Sequence, residues 1–258
     1  MKRSVAFRAA IGLTALLALA LPSTARAGDR EIGGYVDQAE SRFTRNVWNF
    51  VKNFQSFKNV GAHRWKTAQY LWAEPFEFVS SKASFVDAVD LAYFSGHGNA
   101  YVFATHDAVA DVDLRSAAGY GNLANGGDLE FFVIEDCLTV ASLPEAANWW
   151  SPWLRDSAGN HIFQGLHQAV GFRTLSISDN GIPDNYAHRL LGGQGVWQAW
   201  FAAVNDERGW WHSNVTSGVP YPGFASVVLY PGLDNDSIGS YGADPPFNHT
   251  ALRTYWQY

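Results

Sequence analysis

The stretches "DLAYFSGHG" (90–98) and "LEFFVIEDC" (129–137) decide the expected fold. Each is a short apolar run that ends in a chemically active side chain, His97 in the first stretch and Cys137 in the second. Short apolar runs rich in aromatic and β-branched residues are typical of strands that are buried on both faces. We therefore interpret both stretches as strands of a parallel sheet that is covered by helices.

The segments around these two runs alternate between strand and helix patterns. Further strands are predicted over 32–36, 166–172 and 225–232. Apolar residues at helical spacing predict a helix over 44–57 and two helical pieces over 182–207, broken at "GGQG". This alternation predicts an α/β fold, a three-layer sandwich in which helices flank a mostly parallel central sheet.

The first 27 residues have the pattern of a secretory signal peptide. A basic start is followed by an apolar stretch over 11–21, and small residues at Ala25 and Ala27 form an A-x-A cleavage pattern. The apolar stretch is shorter than a membrane span requires. Cleavage after Ala27 predicts a protein that is secreted or held in the periplasm or cell envelope, with no membrane segment.

Residues 28–258 are predicted to form a single α/β domain whose tail is irregular from about residue 232, where Gly, Asp and Pro accumulate. Of the 18 Lys and Arg residues, four lie in the signal peptide, so 14 basic residues face 24 acidic ones and the mature net charge is −10. Phosphate backbones and anionic membranes repel such a chain. We expect no nucleic-acid partner and no membrane partner.

Cys137 is the only cysteine of the chain, although exported proteins usually pair their cysteines in disulfides. A lone exported thiol is either an inert core residue or a reactive group. Ligands of open α/β sheets bind beyond the carboxyl ends of the strands, where both His97 and Cys137 are predicted to lie. Histidine is the usual base for a thiol, and the backbone N–H groups of Gly98 and Cys137 are candidate oxyanion donors.

The order and spacing of "LAYFSGHG" and "FFVIEDC" resemble those of the caspase-like cysteine peptidases, which include legumains, gingipains, clostripain and metacaspases. The pattern "GLHQAVGFRT…AWFAAV" also resembles a set of exported bacterial caspase-like proteins. The resemblance implies a caspase-like sandwich. It also implies that Cys137 is the nucleophile of an endopeptidase that works through an acyl-enzyme, His97 its general base or acid, and Gly98 an oxyanion donor.

Of two sequence features near the cysteine, one departs from the family pattern and one agrees with it. The family carries glycine or another small residue just after its nucleophile, whereas this chain has Leu138 and Thr139. Legumains and metacaspases carry an acidic residue two positions before the cysteine. By resemblance, Glu135 or Asp136 lines a specificity pocket for Arg, Lys or Asn. The alternative is that these acids cap the following segment or face solvent.

The sequence predicts no cofactor. None of the histidines has the short paired spacing of a zinc site. "DNDS" (234–237) together with Asp244 offers oxygen ligands for Ca²⁺, which some caspase-like relatives bind. The spacing does not match the helix–loop–helix calcium site, so a solvated acidic turn is the expected structure and Ca²⁺ the alternative.

Three functions remain open from the sequence. The first is a cysteine endopeptidase with a His97–Cys137 dyad that acts on a peptide or protein. The second is a transpeptidase or cyclase, in which an amine resolves the same acyl-enzyme. The third is a catalytically inactive caspase-like protein of the cell envelope that binds a partner.

Overall fold

Eleven strands and five α-helices form in the part of the chain that the computed structural model describes. The described residues are 29–37, 40–106, 110–117, 119–145, 151–154, 162–176, 178–214, 223–246 and 251–258. The predicted signal peptide, residues 1–27, lies outside them. The helices are α1 (Ser41–Val51), α2 (Pro75–Phe78), α3 (Ser151–Leu154), α4 (Gly181–Leu191) and α5 (Val196–Asn214).

Eight of the strands form one sheet, and three short strands form a second. The large sheet contains β1 (Asp29–Val36), β2 (Lys58–Val60), β3 (His63–Trp72), β4 (Leu91–Ser95), β8 (Phe131–Glu135), β9 (Gln168–Phe172), β10 (Ala225–Leu229) and β11 (Arg253–Trp256). The small sheet contains β5 (Gly98–Asn99), β6 (Val102–Phe103) and β7 (Val112–Asp113).

The large sheet has the strand order β11-β10-β9-β8-β4-β1-β3-β2. Its five middle strands, from β9 to β3, run parallel to one another, and the remaining strands at both edges run antiparallel to their neighbours. The predicted fold, an α/β sandwich with a mostly parallel central sheet, is confirmed. The five strands predicted from apolar runs are all present, with ends displaced by a few residues.

Three strands of the large sheet, β2, β3 and β11, were not predicted from the sequence. β2 has only three residues, too few for a recognisable pattern. β3 alternates buried and exposed residues near its start and is half-exposed beyond, so it lacks a continuous apolar run. The tail is irregular over most of 232–246, but residues 253–256 form β11, which pairs with β10. The prediction of an irregular tail therefore needs this correction, because sheet pairing organises a segment whose composition alone does not specify a strand.

Both faces of the central strands are buried. On one face, α1, α4 and α5 cover the sheet, and the ring of Phe50 stacks on Tyr93 of β4 with their centroids 4.3 Å apart. On the other face, short helices, turns and the small sheet enclose a second cluster around Phe78, Phe94 and Phe132. Consecutive residues of β4 thus point into different cores, which explains its unbroken apolar sequence.

Helix α1 packs directly on β1 because one strand residue has no side chain. A Cβ atom added to Gly34 would lie 2.6 Å from Cγ1 of Val47 and 2.8 Å from Cγ1 of Val51. Both distances are too short for carbon atoms, so a larger residue at this position would push the helix away. The helix position matters because the first turns of α1 lie at the carboxyl edge of the sheet.

Gly34→Ala should lower the free energy of unfolding by about 1–3 kcal/mol, the usual effect of overpacking a core. Val47→Ala should then destabilise the Gly34→Ala protein less than it destabilises the wild type, because it removes one of the clashing methyl groups. Urea denaturation of the four proteins measures this coupling. Strictly additive losses would contradict the proposed helix–strand contact.

Candidate active site

The register between β4 and β8 places His97 and Cys137 at equivalent positions of neighbouring parallel strands. Ser95 at the end of β4 pairs with Glu135 at the end of β8. The Gly96 N–H extends this pairing by donating to the Glu135 carbonyl at 3.2 Å. His97 and Cys137 each follow two residues after the paired ends, at the carboxyl edge of the sheet. The two strands are thus adjacent as well as parallel.

The strands on either side contribute loops to the same edge. After β1, the Asp37 carboxylate accepts a hydrogen bond from the His97 backbone N–H at 3.2 Å. After β9, the Ser176 backbone N–H donates to Sγ of Cys137 at 3.4 Å. Residues that follow four neighbouring strands, β9, β8, β4 and β1, therefore meet at one place on this edge, which we call the crevice.

The Cys137 thiol is half-buried in this crevice. Burial raises the pKa of the thiol above its ordinary value, and the nearby Asp136 acts in the same direction. The Ser176 N–H and the positive charge of Arg42 on α1 oppose this rise without cancelling it. The resting thiol is therefore protonated at neutral pH and needs a base to become a nucleophile.

The His97 imidazole is held by the start of α1. Its Nε2 atom lies 3.1 Å from Oε1 of Glu40, and its ring meets the Phe43 ring edge-on at a centroid distance of 4.9 Å. The other Glu40 oxygen contacts Arg42, and Arg42 and His97 both lower the pKa of Glu40. The His97 side chain remains 54% exposed, so a substrate can reach it.

Within the described residues, no hydrogen bond joins the His97 ring to the Cys137 thiol. Glu40 holds the imidazole and Ser176 holds the sulfur, each on its own side of the crevice. Catalytic hydrogen bonds are often long or absent in free enzymes and form when the substrate binds. The structure thus brings the two predicted residues to one crevice and leaves their roles as a prediction.

The Gly98 backbone lies against the turn that carries Cys137. A Cβ atom at Gly98 would lie 2.1 Å from Oδ2 of Asp136 and 2.7 Å from Oγ1 of Thr139. The Thr139 hydroxyl is within 3.1 Å of the carbonyl oxygens of Asn99 and Val102. Only glycine fits at position 98, and the loop after β4 and the turn after β8 form one unit.

The residue after the cysteine adopts an unusual backbone conformation. Leu138 has φ +68°, in the left-handed region that favours glycine, and its N–H donates to the Thr174 carbonyl at 3.3 Å. A side chain in this region costs about 1–2 kcal/mol. The backbone therefore turns sharply after the cysteine, and Leu138 carries the strain that glycine would avoid.

Both acidic residues before Cys137 are buried. Glu135 accepts hydrogen bonds from Nδ2 of Asn46 at 2.7 Å and from the Tyr93 hydroxyl at 2.9 Å, and burial raises its pKa to about 8. Asp136 contacts Thr139, and burial raises its pKa well above the ordinary value. Asp136 thus shapes the turn, whereas Glu135 lies between α1 and the ends of β4 and β8. Their predicted roles in substrate binding remain predictions.

The sequence did not predict the residues that surround His97, Cys137 and Glu135. Glu40, Arg42 and Asn46 lie on or beside α1, and Ser176 acts through its backbone. One signal for Asn46 was available, since it is a polar residue on the buried face of the helix, next to Val47. The other contacts depend on loop positions and leave no sequence pattern.

The acidic tail does not behave as a free acidic turn. Asp234 accepts hydrogen bonds from Tyr255 and Arg253, and Oδ2 of Asp236 lies 2.6 Å from Nδ1 of the buried His167. Asp244 lies 3.9 Å from the other nitrogen of that ring. These carboxylates bind protein groups, and Ca²⁺ at "DNDS" stays an untested alternative.

A family model described as a domain of unknown function, DUF6345, matches residues 32–257. The chain belongs to the DUF6345 family. The match extends from β1 to β11 and therefore includes every strand and helix of the sheet edge described above. No curated protein matches the sequence.

Two solved structures resemble the DUF6345 chain at 11% sequence identity. One is an inactive zymogen C11 protease from Parabacteroides distasonis, with a TM-score of 0.43, covering 81% of this chain and 63% of that one. The other is a secreted C11 cysteine protease from Bacteroides thetaiotaomicron in complex with an irreversible peptide inhibitor, with a TM-score of 0.42 and coverages of 78% and 66%. The chain spans less than two thirds of either structure's length.

The pH dependence of stability should report the buried Glu135. Between about pH 4.5, the ordinary pKa of a glutamate, and about pH 8, its folded-state pKa, only the folded state holds this proton. As the pH rises through this window, Glu135 therefore lowers the free energy of unfolding by about 1.4 kcal/mol for each pH unit. Glu135→Gln should remove that component, as measured by urea denaturation from pH 5 to pH 8.

The partly exposed Glu31 on β1 provides the control, because Glu31→Gln removes a carboxylate that pairs with Lys66 at the surface. Its stability should follow the wild-type pH profile. A Glu135→Gln profile that runs parallel to the wild type across the whole window would show that Glu135 is ionised in the folded protein.

Iodoacetamide labelling should reveal the raised pKa of Cys137. We expect the labelling rate to rise with a midpoint above about 8.5, the value of a free thiol. Arg42→Gln should move the midpoint higher, since the Arg42 charge favours the thiolate. Arg45→Gln, which removes an exposed arginine of the same helix, is the matched control. A midpoint below 8 would contradict the described burial.

Proposed function

We propose that the protein is an exported cysteine peptidase in which His97 and Cys137 form the catalytic dyad. The observation that carries the proposal is the register of β4 and β8, which sets these two residues side by side at the carboxyl edge of the sheet. The half-exposed imidazole and the half-buried thiol both face a crevice built from four strand ends. The resemblance of "SGHG" and "EDC" to caspase-like peptidases supports the same assignment.

The reaction begins with proton transfer. His97 takes the thiol proton of Cys137, and the thiolate attacks the carbonyl carbon of a peptide bond. The tetrahedral intermediate collapses as the imidazolium protonates the leaving amine, which leaves a thioester on Cys137. Water, deprotonated by His97, then hydrolyses the thioester and restores the thiol.

Groups already in place support these steps. The Glu40 carboxylate beside Nε2 stabilises the imidazolium that forms at His97. The backbone N–H groups of Gly98 and Cys137 are the proposed oxyanion donors, and the strained turn at Leu138 fixes the second of them. Because the resting thiol is protonated, the base acts during the reaction rather than through a preformed ion pair.

The proposed substrate is a peptide or protein with Arg, Lys or Asn before the cleaved bond. Glu135 is the better of the two predicted pocket residues, because Asp136 is engaged by the turn at Thr139. A cationic side chain that reaches Glu135 would lower its raised pKa and convert it into a counter-ion. The dyad requires no cofactor, and the acidic mature chain disfavours nucleic-acid and membrane partners.

The inactive binding protein is the second candidate, and one observation favours it. The described residues hold His97 on Glu40 and Cys137 on Ser176, with the thiol pKa raised rather than lowered. A structural thiol has this setting as well.

No described helix has both the length and the apolar character of a membrane span. We place the protein outside the cytoplasm on the basis of the N-terminal leader pattern.

Hydrolysis of fluorogenic peptides that differ in the residue before the cleaved bond tests the proposal. We expect turnover of Arg, Lys or Asn substrates, and a loss of at least about 100-fold in kcat/KM for both Cys137→Ala and His97→Ala. Glu40→Gln should cause a smaller loss. His188→Ala removes an exposed histidine of α4 and should leave kcat/KM unchanged.

Product masses measured with an added amine separate the enzyme classes. Hydrolysed product supports the peptidase, and amine-coupled product identifies the transpeptidase with the same dyad. Turnover that survives Cys137→Ala would contradict the dyad. Absence of turnover across the peptide set, together with a thiol that reacts only after unfolding, would favour the binding protein.

A further inference from the structure

The opposite edge of the sheet carries a second pair of register-matched residues. Leu91 pairs with Phe131 at the start of β4 and β8, so Asp90 and Glu130 precede the two strands at equivalent positions. The Asp128 carboxylate joins them, and one oxygen of each of the three carboxylates lies within 4.8 Å of the other two. Asp90 and Glu130 are buried, at 2% and 4% exposure.

One oxygen of this group has no partner. Oε2 of Glu130 is buried and makes no hydrogen bond to any residue that the structure describes. A buried carboxylate oxygen without a donor loses its hydration and gains nothing in return. Its situation points to a ligand that the polypeptide does not supply.

The charges of the cluster are also unbalanced. Among the described residues, the cation that contacts these carboxylates is Arg30, whose Nη1 lies 2.7 Å from Oδ1 of Asp90 and 3.8 Å from Oε1 of Glu130. When all three carboxylates are ionised, they and the guanidinium together carry a net charge of −2. A charge of this size is costly to bury, and one divalent cation balances it.

We propose that Asp90, Asp128 and Glu130 bind a Ca²⁺ ion at the amino edge of the sheet. The ligand set consists of oxygens, which hard cations prefer. Ca–O distances of about 2.3–2.6 Å place opposite ligands up to about 5 Å apart, whereas Mg–O distances of about 2.1 Å limit them to about 4.2 Å. The upper limit of 4.8 Å on the separations of the three oxygens lies within the span of Ca²⁺ and exceeds that of Mg²⁺.

Existing contacts of Asp90 are compatible with this role. Its Oδ1 accepts from Arg30 at 2.7 Å and from the Tyr241 hydroxyl at 3.5 Å, whereas its Oδ2 accepts from the Glu31 N–H at 2.6 Å and retains a second lone pair for a metal. The ion would fasten the starts of β4 and β8, the strands whose other ends carry His97 and Cys137. Its role is therefore structural, and the proposal does not depend on catalysis.

Calorimetric titration of the chelator-treated protein with CaCl₂ tests the site directly. We expect one Ca²⁺ per chain with a sub-millimolar Kd, and a melting temperature that rises by several degrees in Ca²⁺ compared with NaCl of equal ionic strength. Glu130→Gln and Asp128→Asn should each weaken binding at least tenfold. Asp128 is only half-buried, so Asp128→Asn keeps the test valid if Glu130→Gln does not fold.

Asp206→Asn is the matched control, since it removes an exposed carboxylate of α5 that pairs with Arg189. It should bind Ca²⁺ as the wild type does. Failure of the wild type to bind Ca²⁺ at 1:1 stoichiometry would overturn the proposal. Equal stabilisation by Mg²⁺ and Ca²⁺, or undiminished binding by both cluster variants, would overturn it as well.

Discussion

The parallel pairing of β4 with β8 is the constraint on which the rest of the structure depends. A register that sets Ser95 opposite Glu135 fixes two residue pairs at once, Asp90 with Glu130 at one edge of the sheet and His97 with Cys137 at the other. A shift by one residue would also exchange the two faces of a strand that is buried on both. The two aromatic cores therefore hold the register, and the register positions both pairs of side chains.

Helix α1 connects the hydrophobic core to the crevice. Its buried face packs on β1 through the space left by Gly34, and its first turns carry Glu40 to His97 and Asn46 to Glu135. Burial of the Glu135 carboxyl disfavours its ionised form, and Asn46 and Tyr93 only partly offset this. The sheet edge thus holds an uncharged acid, a protonated thiol and an exposed imidazole in one region.

The sequence predicted the elements whose pattern is local and missed those that depend on partners. Continuous apolar runs identified the central strands, and two chemically active residues at their ends predicted the crevice. β2 was missed because it has only three residues, and β3 and β11 were missed because their side chains are largely half-exposed and form no continuous apolar run. The contacts of Glu40 and Ser176 could not be predicted from the sequence. Glu40 reaches His97 from a position just before α1, and Ser176 contacts Cys137 through its backbone N–H, which any residue type provides.

The rate at which an irreversible peptidyl ketone modifies the protein at neutral pH tests the pairing of His97 with Cys137 most directly. At that pH the thiol is protonated, so modification through Cys137 requires a base that acts during the reaction. We expect one adduct per chain by intact mass, formed at least about 100-fold more slowly in His97→Ala and at the wild-type rate in His188→Ala. Equal rates in His97→Ala and the wild type would show that the imidazole does not activate the thiol.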